Sequence, residues 1–554
     1  MKTTEKTQVY IVGGGIAGLA AAAFAVRDAN VAGSNVHIFE VMDIAGGALD
    51  GIGTPEKYIS RGARKYNYPA YNCSWNLFES IPSLLDESVP SVTVMDEIRK
   101  FNDENPKNIK IRLVGKNQTP VKRVKKEEKT TKRIKRFDMP KIDQDSFFKF
   151  LLTPEDEMDG KKISEFFRPE YFQADRWHTW ASMFGFETWH SAIEYKRYIL
   201  RFAHEGWRND ATEAMVSTTF NQFDSQILPL VIWLKSQGVD FNMGCRVNDM
   251  DFKAVKDEIT VSKIHYTKAG EEKEIIITDD DIVLVSNGSM VADSRAGSMD
   301  EPAPVERGKI DGSWTLWENM ITSLKNARQT AGVLRSEEPI EFGDPAVFCG
   351  NIEKTKWIVF SVTGKDDRFL KLYEKFTGNA DGDADLVTFK DSNWYMSVHV
   401  PKQPQFPDQP DDVIFWMGYG LIQYKEGDYV KKKMPDCNGK EILTEVCKQF
   451  GFDEDLPHIL ENSTCIPNMM PYDTAHFMPR KHSDRPLVVP LGSTNLAFIG
   501  QFVEIPDECV FLVESSIRSA MTGIYTLLNV DKEIPPIYKS KNIFRPPEQS
   551  PKQS

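Results

Sequence analysis

The sequence predicts an α/β protein built on a parallel sheet, and three observations support that prediction. An uncharged apolar run, Val9–Val12, leads directly into a glycine-rich stretch and then into an alanine-rich, helix-favouring run. A second apolar run over residues 36–39 ends in Glu40, 22 positions after the last glycine of that stretch. Near the other end of the chain, the apolar run 495–499 ends at Gly500 and precedes a helical pattern over 509–529. Strand, glycine turn and helix in this order predict a Rossmann-like dinucleotide-binding domain.

Each residue of the glycine motif G-x-G-x-x-G has its own task. The tight turn needs Gly13, close approach of the backbone to a pyrophosphate needs Gly15, and close packing of helix on strand needs Gly18. The N-terminus of the helix favours an anion, and the Glu40 carboxylate can hold a ribose diol. We therefore predict dinucleotide contacts from Gly13, Gly14, Gly15, Ile16, Ala17, Gly18 and Glu40.

A secretory signal peptide is the alternative interpretation of this stretch, because residues 9–26 carry no charge and follow Lys2 and Lys6. Four glycines lie within the run, it has no convincing small-residue cleavage site, and Glu40 stands at the nucleotide-binding spacing. These features favour a buried βαβ unit.

The length, charge and cysteine content of the chain exclude several classes of protein. A chain of 554 residues predicts two or three domains, and its net charge of −13 disfavours nucleic-acid binding. Seven cysteines, an odd number without a C-x-x-C pair, predict a reduced, cytoplasmic protein. The sequence shows no membrane-spanning run, no metal-site motif and no H-E-x-x-H, P-loop or G-x-S-x-G motif.

Changes in composition along the chain predict its organisation. Residues 145–205 are helical and aromatic-rich, 227–290 alternate in strand fashion, and 300–480 mix helices, strands and proline-rich turns. The predicted segments are a first part of the dinucleotide domain (1–115), a basic loop with an aromatic helical segment (116–205), a second part of the dinucleotide domain (206–300), a substrate domain (301–480), a closing strand and helix of the dinucleotide domain (481–532) and a flexible tail (533–554).

Lysine and arginine are concentrated between residues 122 and 136 of this acidic chain. A solvated loop between two strands is one interpretation. The other is a surface that contacts anionic phospholipid head groups.

Seven sequence blocks resemble those of the FAD-dependent fatty-acid double-bond hydratases, also called oleate hydratases or myosin-cross-reactive antigens. The resemblance extends from about residue 8 to 540. Its blocks lie at Ala45–Gly51, Trp75–Leu84, Phe186–Ser191, Asn221–Ser225, Gly418–Leu421, Met469–Tyr472 with Phe477–Arg480, and Gly500–Glu504. It implies a glutathione-reductase-like FAD-binding domain with an inserted mixed α+β substrate domain and helical segments.

The resemblance implies a lyase activity in which water adds to an isolated cis double bond of an oleate- or linoleate-type fatty acid. The product is a hydroxy fatty acid, and FAD is a structural, non-redox cofactor. Such a site needs an acid, a positioned water and a dry apolar tunnel. Further FAD contacts are implied for Gly46, Gly47, Arg61, Gly62, Ala63, Arg64, Val247, Ser289, Gly500, Gln501 and Glu504.

Tyr198 is the proton donor that the resemblance implies, in the block Lys196-Arg197-Tyr198. A phenol with an ordinary pKa near 10 is protonated at working pH. The alternative is that Tyr198 only packs on one side of an amphipathic helix.

Lys65 departs from the family pattern. The family's Arg-Gly-Gly-Arg-Glu block, whose glutamate binds and activates the water, here reads Arg61-Gly62-Ala63-Arg64-Lys65. A protonated lysine cannot accept a proton, so Lys65 can be catalytic only if burial and the neighbouring arginines lower its pKa. Three outcomes are open: another group orients the water, the loop binds FAD only, or the activity is lost.

A second departure concerns the substrate carboxylate. The family's Thr-x-Asn-x-x-x-His pattern is replaced here by His399, Pro401 and Gln405. Asn221, a further polar residue that the resemblance implies near the substrate carboxylate, is retained. Pro401 has no N–H group to donate, but His399 and Gln405 can donate hydrogen bonds. Asn221, His399 and Gln405 are therefore the predicted substrate contacts.

The resemblance also implies a homodimer that meets a membrane peripherally, although the short termini leave a monomer open. Two other functions remain open at this point. One is an FAD-dependent oxidoreductase acting on an apolar substrate, and the other is a family member that binds FAD and fatty acid without catalysis.

Overall fold

The computed structural model describes residues 6–49, 51–62, 64–85, 92–115, 141–203, 215–332 and 341–540. The predicted basic segment 122–136, the predicted FAD contact Ala63 and residues 541–554 of the predicted tail lie outside these ranges. Within them, no helix has the length and apolar character needed to cross a membrane.

The strands of the described residues are, in chain order, β1 (Val9–Val12), β2 (Val36–Phe39), β3 (Ile52–Thr54), β4 (Lys57–Ile59), β5 (Tyr66–Asn67), β6 (Leu113–Val114), β7 (Met215–Val216), β8 (Asp240–Asn242), β9 (Cys245–Val255), β10 (Glu258–Lys268), β11 (Glu271–Ile276), β12 (Ile282–Ser286), β13 (Arg295–Ala296), β14 (Trp357–Gly364), β15 (Val387–Phe389), β16 (Met396–His399), β17 (Ile414–Gly420), β18 (Ser463–Met470) and β19 (Leu496–Ile499).

The α-helices are α1 (Ile16–Arg27), α2 (Asn72–Phe78), α3 (Val94–Glu104), α4 (Lys141–Leu152), α5 (Asp175–Phe184), α6 (Ala192–Phe202), α7 (Leu228–Ser236), α8 (Ser313–Thr330), α9 (Ala346–Cys349), α10 (Ile352–Thr355), α11 (Arg368–Thr377), α12 (Gly439–Phe450), α13 (Leu456–Glu461) and α14 (Val513–Leu527).

The predicted Rossmann-like α/β fold is confirmed by a five-stranded parallel sheet in the order β19-β12-β1-β2-β8. Strands β19, β12, β1 and β2 are almost wholly buried, as expected for a parallel sheet covered on both faces, whereas the edge strand β8 is partly exposed. Helix α1 packs against α14, so the first and last parts of the chain complete one layer. The carboxyl end of β1 leads into α1 at the glycine motif.

Two further sheets accompany the parallel one. Strands β11-β10-β9 form an antiparallel sheet, and the largest sheet has the order β13-β18-β14-β17-β16-β15-β6. Strand β6 lies in the predicted first segment and β13 in the predicted third, yet both pair within this large sheet. The domain boundaries themselves stay a prediction.

The first part of the region 227–290, predicted as strands, is helical instead. A π-helical turn, Phe223–Ile227, leads directly into α7. The cause lies in the sequence LPLVIWLKS, whose apolar run is uniform rather than alternating and which has proline in the first helical turn.

Candidate active site

The glycine motif forms an open loop between β1 and α1. Gly13 has φ +104°, and a Cβ on Gly18 would lie 1.9 Å from the Gly13 carbonyl oxygen. A Cβ on Gly15, in contrast, would meet only the Gly47 Cα, at 3.8 Å. The close contacts at Gly18 hold helix on strand, and the loop at Gly15 keeps free space in front of it.

The first turn of α1 is free of side-chain caps. Gly15 is the N-cap, no side chain accepts a hydrogen bond from the turn, and no acidic residue lies in it. Gly46 donates its N–H to the Gly14 carbonyl at 2.9 Å, which places a second glycine pair beside the loop. Uncapped N–H groups at a helix N-terminus, with the positive end of the dipole, form an anion site.

Glu40 lies against this loop. Its Oε2 accepts a hydrogen bond from the Gly14 N–H at 2.7 Å, and its Oε1 accepts one from the Met42 N–H at 2.9 Å. Burial raises the pKa of the Glu40 carboxyl, and these two bonds counteract the shift.

Some of the other implied FAD contacts lie near the loop. Arg61 donates from Nη2 to the Gly47 carbonyl at 3.0 Å. Gly500 has φ +95°, and a Cβ on it would lie 4.0 Å from the Ala17 Cβ. Gln501 donates to the Met290 sulfur at 3.1 Å.

Other implied FAD contacts have mainly protein partners. Val247 is buried in β9, and the Ser289 hydroxyl accepts a bond from the Val291 N–H at 3.3 Å. Glu504 pairs with Arg197 and Arg480, at 2.7 and 2.8 Å. These arginines lower the pKa of the Glu504 carboxyl to about 2.

Two neighbouring cavities bring Lys65 and the predicted substrate residues together. The first, of about 250 Å³, is called the polar cavity; its lining includes Lys107, Asn221 and Gln405. The second, of about 120 Å³, is called the apolar cavity; its lining includes Phe184, Trp357 and Phe511. Four residues line both cavities: Gly62, Lys65, His399 and Met417.

Lys65 stands between the two cavities. Its Nζ donates to the Ser217 hydroxyl at 2.8 Å and lies 3.6 Å from Asp385 Oδ1. Burial lowers the pKa of Lys65 to about 8, helped by Lys107 and opposed by Asp385. Arg61 and Arg64, which the sequence suggested as causes of such a shift, do not produce it. At neutral pH the Lys65 amine is mainly protonated.

His399 contacts the same aspartate through its imidazole ring. Its Nδ1 lies 2.6 Å from the Asp385 carbonyl oxygen, and burial lowers the pKa of His399 to about 3. A neutral imidazole beside a carbonyl must carry its proton on Nδ1, so Nε2 is an acceptor. In this arrangement Nδ1 is already used by the Asp385 carbonyl, and the contact of His399 with a substrate carboxylate stays a prediction. Lys65 and His399, both departures from the family pattern, thus meet at Asp385.

Asn221 and Gln405 are joined through their backbones. The Asn221 N–H donates to the Gln405 carbonyl at 2.8 Å, and the Asn221 side chain donates to Asp224 Oδ2 at 2.6 Å. The structure therefore places both predicted substrate contacts on one wall of the polar cavity.

Tyr198 lies behind the apolar cavity rather than in its described lining. Its buried hydroxyl donates to the Val510 carbonyl at 2.7 Å, and its ring contacts Phe184 with centroids 4.8 Å apart. Burial raises the pKa of the phenol well above its ordinary value.

Sequence reasoning missed two carboxyl groups that line the apolar cavity, Asp385 and Asp473. Burial raises the pKa of Asp473 to about 7, although Arg64 and Arg61 lower it. An acidic residue directly after the block Met469–Tyr472 was a signal for Asp473. Asp385 lies in the acidic turn Asp381–Asp385, whose composition suggests a surface loop.

Comparisons with known proteins agree with the sequence blocks. Residues 6–525 match the model of the MCRA family. The chain is 35% identical over 548 residues to an oleate hydratase of Streptococcus pyogenes serotype M49 (strain NZ131), covering 97% of this chain and 88% of that protein. It is 29% identical over 575 residues to a linoleate hydratase of Lactiplantibacillus plantarum, covering 95% and 94%.

Solved structures give a weaker likeness. A putrescine oxidase bound to putrescine has a TM-score of 0.48 at 10% identity, over 94% of this chain and 99% of the other. Similarity of this degree carries no inference about function.

Proposed function

The chain belongs to the MCRA family, and we propose from this that it hydrates an isolated cis double bond of an unsaturated fatty acid. The observation that carries the proposal is the 35% identity to an oleate hydratase over 97% of the chain. The paired cavities support it, because an amphipathic substrate needs a polar place for its carboxylate beside an apolar place for its alkene.

Hydration of an unactivated alkene requires proton delivery to one carbon while water attacks the other. The apolar cavity excludes bulk water from the cationic centre that develops between these events. Tyr198 is the proposed donor. To deliver its proton into the apolar cavity, its hydroxyl must release the Val510 carbonyl.

The glycine loop supports FAD as the cofactor. The uncapped first turn of α1 would hold the pyrophosphate, and Glu40 would hold the ribose. The Gly46-Gly47 pair and Arg61 would provide further contacts to FAD. Because hydration transfers no electrons, a bound FAD would serve as a structural, non-redox group.

The carboxylate of the substrate is assigned to the polar cavity. Asn221 and Gln405 lie together on one wall, where Gln405 offers its side-chain amide. His399 binds the backbone at Asp385 through Nδ1, and its contact with the substrate stays a prediction.

Oligomeric state and location complete the proposal. A cytoplasmic homodimer is proposed, and light scattering after size exclusion gives the mass that decides between dimer and monomer.

Contact with anionic lipid is proposed for residues 122–136. Co-sedimentation with phosphatidylglycerol vesicles tests it, and equal binding after the lysines and arginines of that segment are changed to glutamine would refute it.

A substrate panel tests the reaction. Protein and FAD are incubated with C16–C18 unsaturated acids, and the products are identified by mass spectrometry together with oxygen consumption and peroxide. We expect hydroxy fatty acids, without an electron acceptor and without peroxide. Peroxide with a dehydrogenated product would indicate an oxidoreductase, and fatty-acid binding without any product would indicate a non-catalytic binder.

A further inference from the structure

Water attack on an alkene needs a hydrogen-bond acceptor beside the reacting carbon, because the water loses a proton as its oxygen bonds. Lys65 is a poor acceptor in this structure, since its Nζ is a donor to Ser217 and stands beside a carboxylate. Arg61 and Arg64, also in the lining of the apolar cavity, have donors only.

Asp385 has the required chemistry in the required place. Its side chain is 6% exposed and it lines the apolar cavity directly before β15. Lys107 Nζ lies 2.6 Å and Lys65 Nζ 3.6 Å from its Oδ1. Two cations stabilise the ionised carboxylate in a buried site, and a carboxylate retains several acceptor positions after pairing.

The backbone around Asp385 is held as well. His399 Nδ1 donates to the Asp385 carbonyl at 2.6 Å, and His399 lies at the end of β16, the partner of β15. The carboxylate is therefore attached to a strand of the large sheet rather than to an unsupported loop. A group that must orient one water molecule benefits from such support.

We propose that the carboxylate of Asp385 orients the attacking water and accepts its proton, a role that rests on the proposed hydration. As the water oxygen bonds to one alkene carbon, one O–H bond breaks and its proton passes to Asp385. The π electron pair forms the C–H bond at the other carbon with the proton from Tyr198. The proton on Asp385 leaves through the polar cavity and Tyr198 regains one, so that one water is added and no electrons are transferred.

Lys65 and Lys107 are positioning residues in this account. They hold Asp385 ionised and oriented, and neither contacts the alkene. Asp473, the other carboxyl group of the apolar cavity, interacts with the arginines of the Arg61–Arg64 loop instead.

The test compares Asp385→Asn with Asp391→Asn, the same change at an exposed aspartate just beyond the other end of β15. We expect Asp385→Asn to lower turnover by about 10²-fold or more, the scale for loss of a general base, with little change in oleate binding. Asp391→Asn should retain wild-type turnover.

A double variant keeps the test decisive if Asp385→Asn folds poorly. Lys65 Nζ and Asp385 Oδ1 are 3.6 Å apart, so Lys65→Glu combined with Asp385→Asn restores a carboxylate to the same wall of the apolar cavity. We expect this double variant to be folded and at least about tenfold more active than Asp385→Asn, which is ~1.4 kcal/mol of transition-state stabilisation.

Two results would overturn the inference. One is wild-type turnover in folded Asp385→Asn, above all if Asp473→Asn is the inactive variant. The other is a folded, oleate-binding double variant with no gain over Asp385→Asn. Absence of any hydration product from the wild-type protein would instead refute the proposed function.

Discussion

At the scale of single residues, Tyr198 is the most direct test of proton delivery. Tyr198→Phe keeps the ring against Phe184 but removes the proton, so we expect turnover to fall by about 10²-fold or more. The Val510 carbonyl also loses its donor, at a cost to stability of about 1–3 kcal/mol. Steady-state kinetics and thermal unfolding measure the two effects separately.

Tyr195→Phe is the matched control. Tyr195 lies three residues earlier on α6, is equally buried, and shares a hydrogen bond of 2.7 Å with the Tyr171 hydroxyl. The Tyr195→Phe variant should therefore have a lower free energy of unfolding but wild-type turnover. Equal turnover losses in both variants would remove Tyr198 from the mechanism.

Lys65 gives a prediction about pH. Its pKa is lowered to about 8, and its charged neighbours are Asp385 and Lys107, with neutral His399 beside them. As pH rises through about 8, Lys65 loses its charge, so Asp385 loses one of its cationic neighbours while Lys107 and Arg112 remain. Wild-type turnover should therefore fall above pH 8.

Lys65→Met should abolish this alkaline decline and lower turnover at pH 7 by less than about tenfold, or ~1.4 kcal/mol. A pH–rate profile of both proteins decides the matter. If Lys65→Met is inactive and wild-type turnover increases through pH 8, Lys65 is itself the base, acting as a neutral amine.

Among the secondary-structure elements, the loop between β1 and α1 allows cofactor binding to be separated from folding. A Cβ on Gly15 meets nothing closer than 3.8 Å, so Gly15→Val should fold normally while its side chain occupies the pyrophosphate site. We expect FAD affinity, measured by fluorescence titration, to fall at least about tenfold, or ~1.4 kcal/mol.

Gly18→Ala is the contrasting variant, because its Cβ would lie 1.9 Å from the Gly13 carbonyl and should destabilise the fold itself. Wild-type FAD affinity in Gly15→Val would show that the cofactor binds elsewhere.

The ion pairs of Glu504 join α6 to the segment after β19 and to Arg480. Glu504→Gln leaves two buried arginines facing a neutral amide, and we expect a loss of about 3–5 kcal/mol in the free energy of unfolding. The folded pKa is lowered to about 2, so this stabilisation is complete above the unfolded pKa and is lost as pH falls toward 2.

Thermal unfolding of Glu504→Gln between pH 7 and pH 3 measures the effect, and FAD titration of the same variant tests the implied cofactor contact. If Glu504→Gln keeps the wild-type melting temperature but binds FAD more weakly, Glu504 contributes to the cofactor site and not to stability.

Considered as a whole molecule, the parts that sequence predicted well are local ones. Strand β1, the glycine turn and α1 follow one another in the chain, so composition and spacing suffice to identify them. The α7 region was mistaken because a uniform apolar run fits either element. Asp385 was missed because its burial depends on Lys65 and Lys107, which are distant in sequence and meet it only in the folded protein. For the same reason no pattern indicated that the Tyr198 hydroxyl binds the Val510 carbonyl.

Addition of water to a fatty-acid double bond by this chain can be followed with ¹⁸O-labelled water. Wild-type protein with FAD and oleate is incubated anaerobically in labelled water, and the product is analysed by mass spectrometry. We expect a hydroxy fatty acid that carries a single ¹⁸O atom in its new hydroxyl group. Product that carries only ¹⁶O, or no product while oleate is bound, would contradict this expectation.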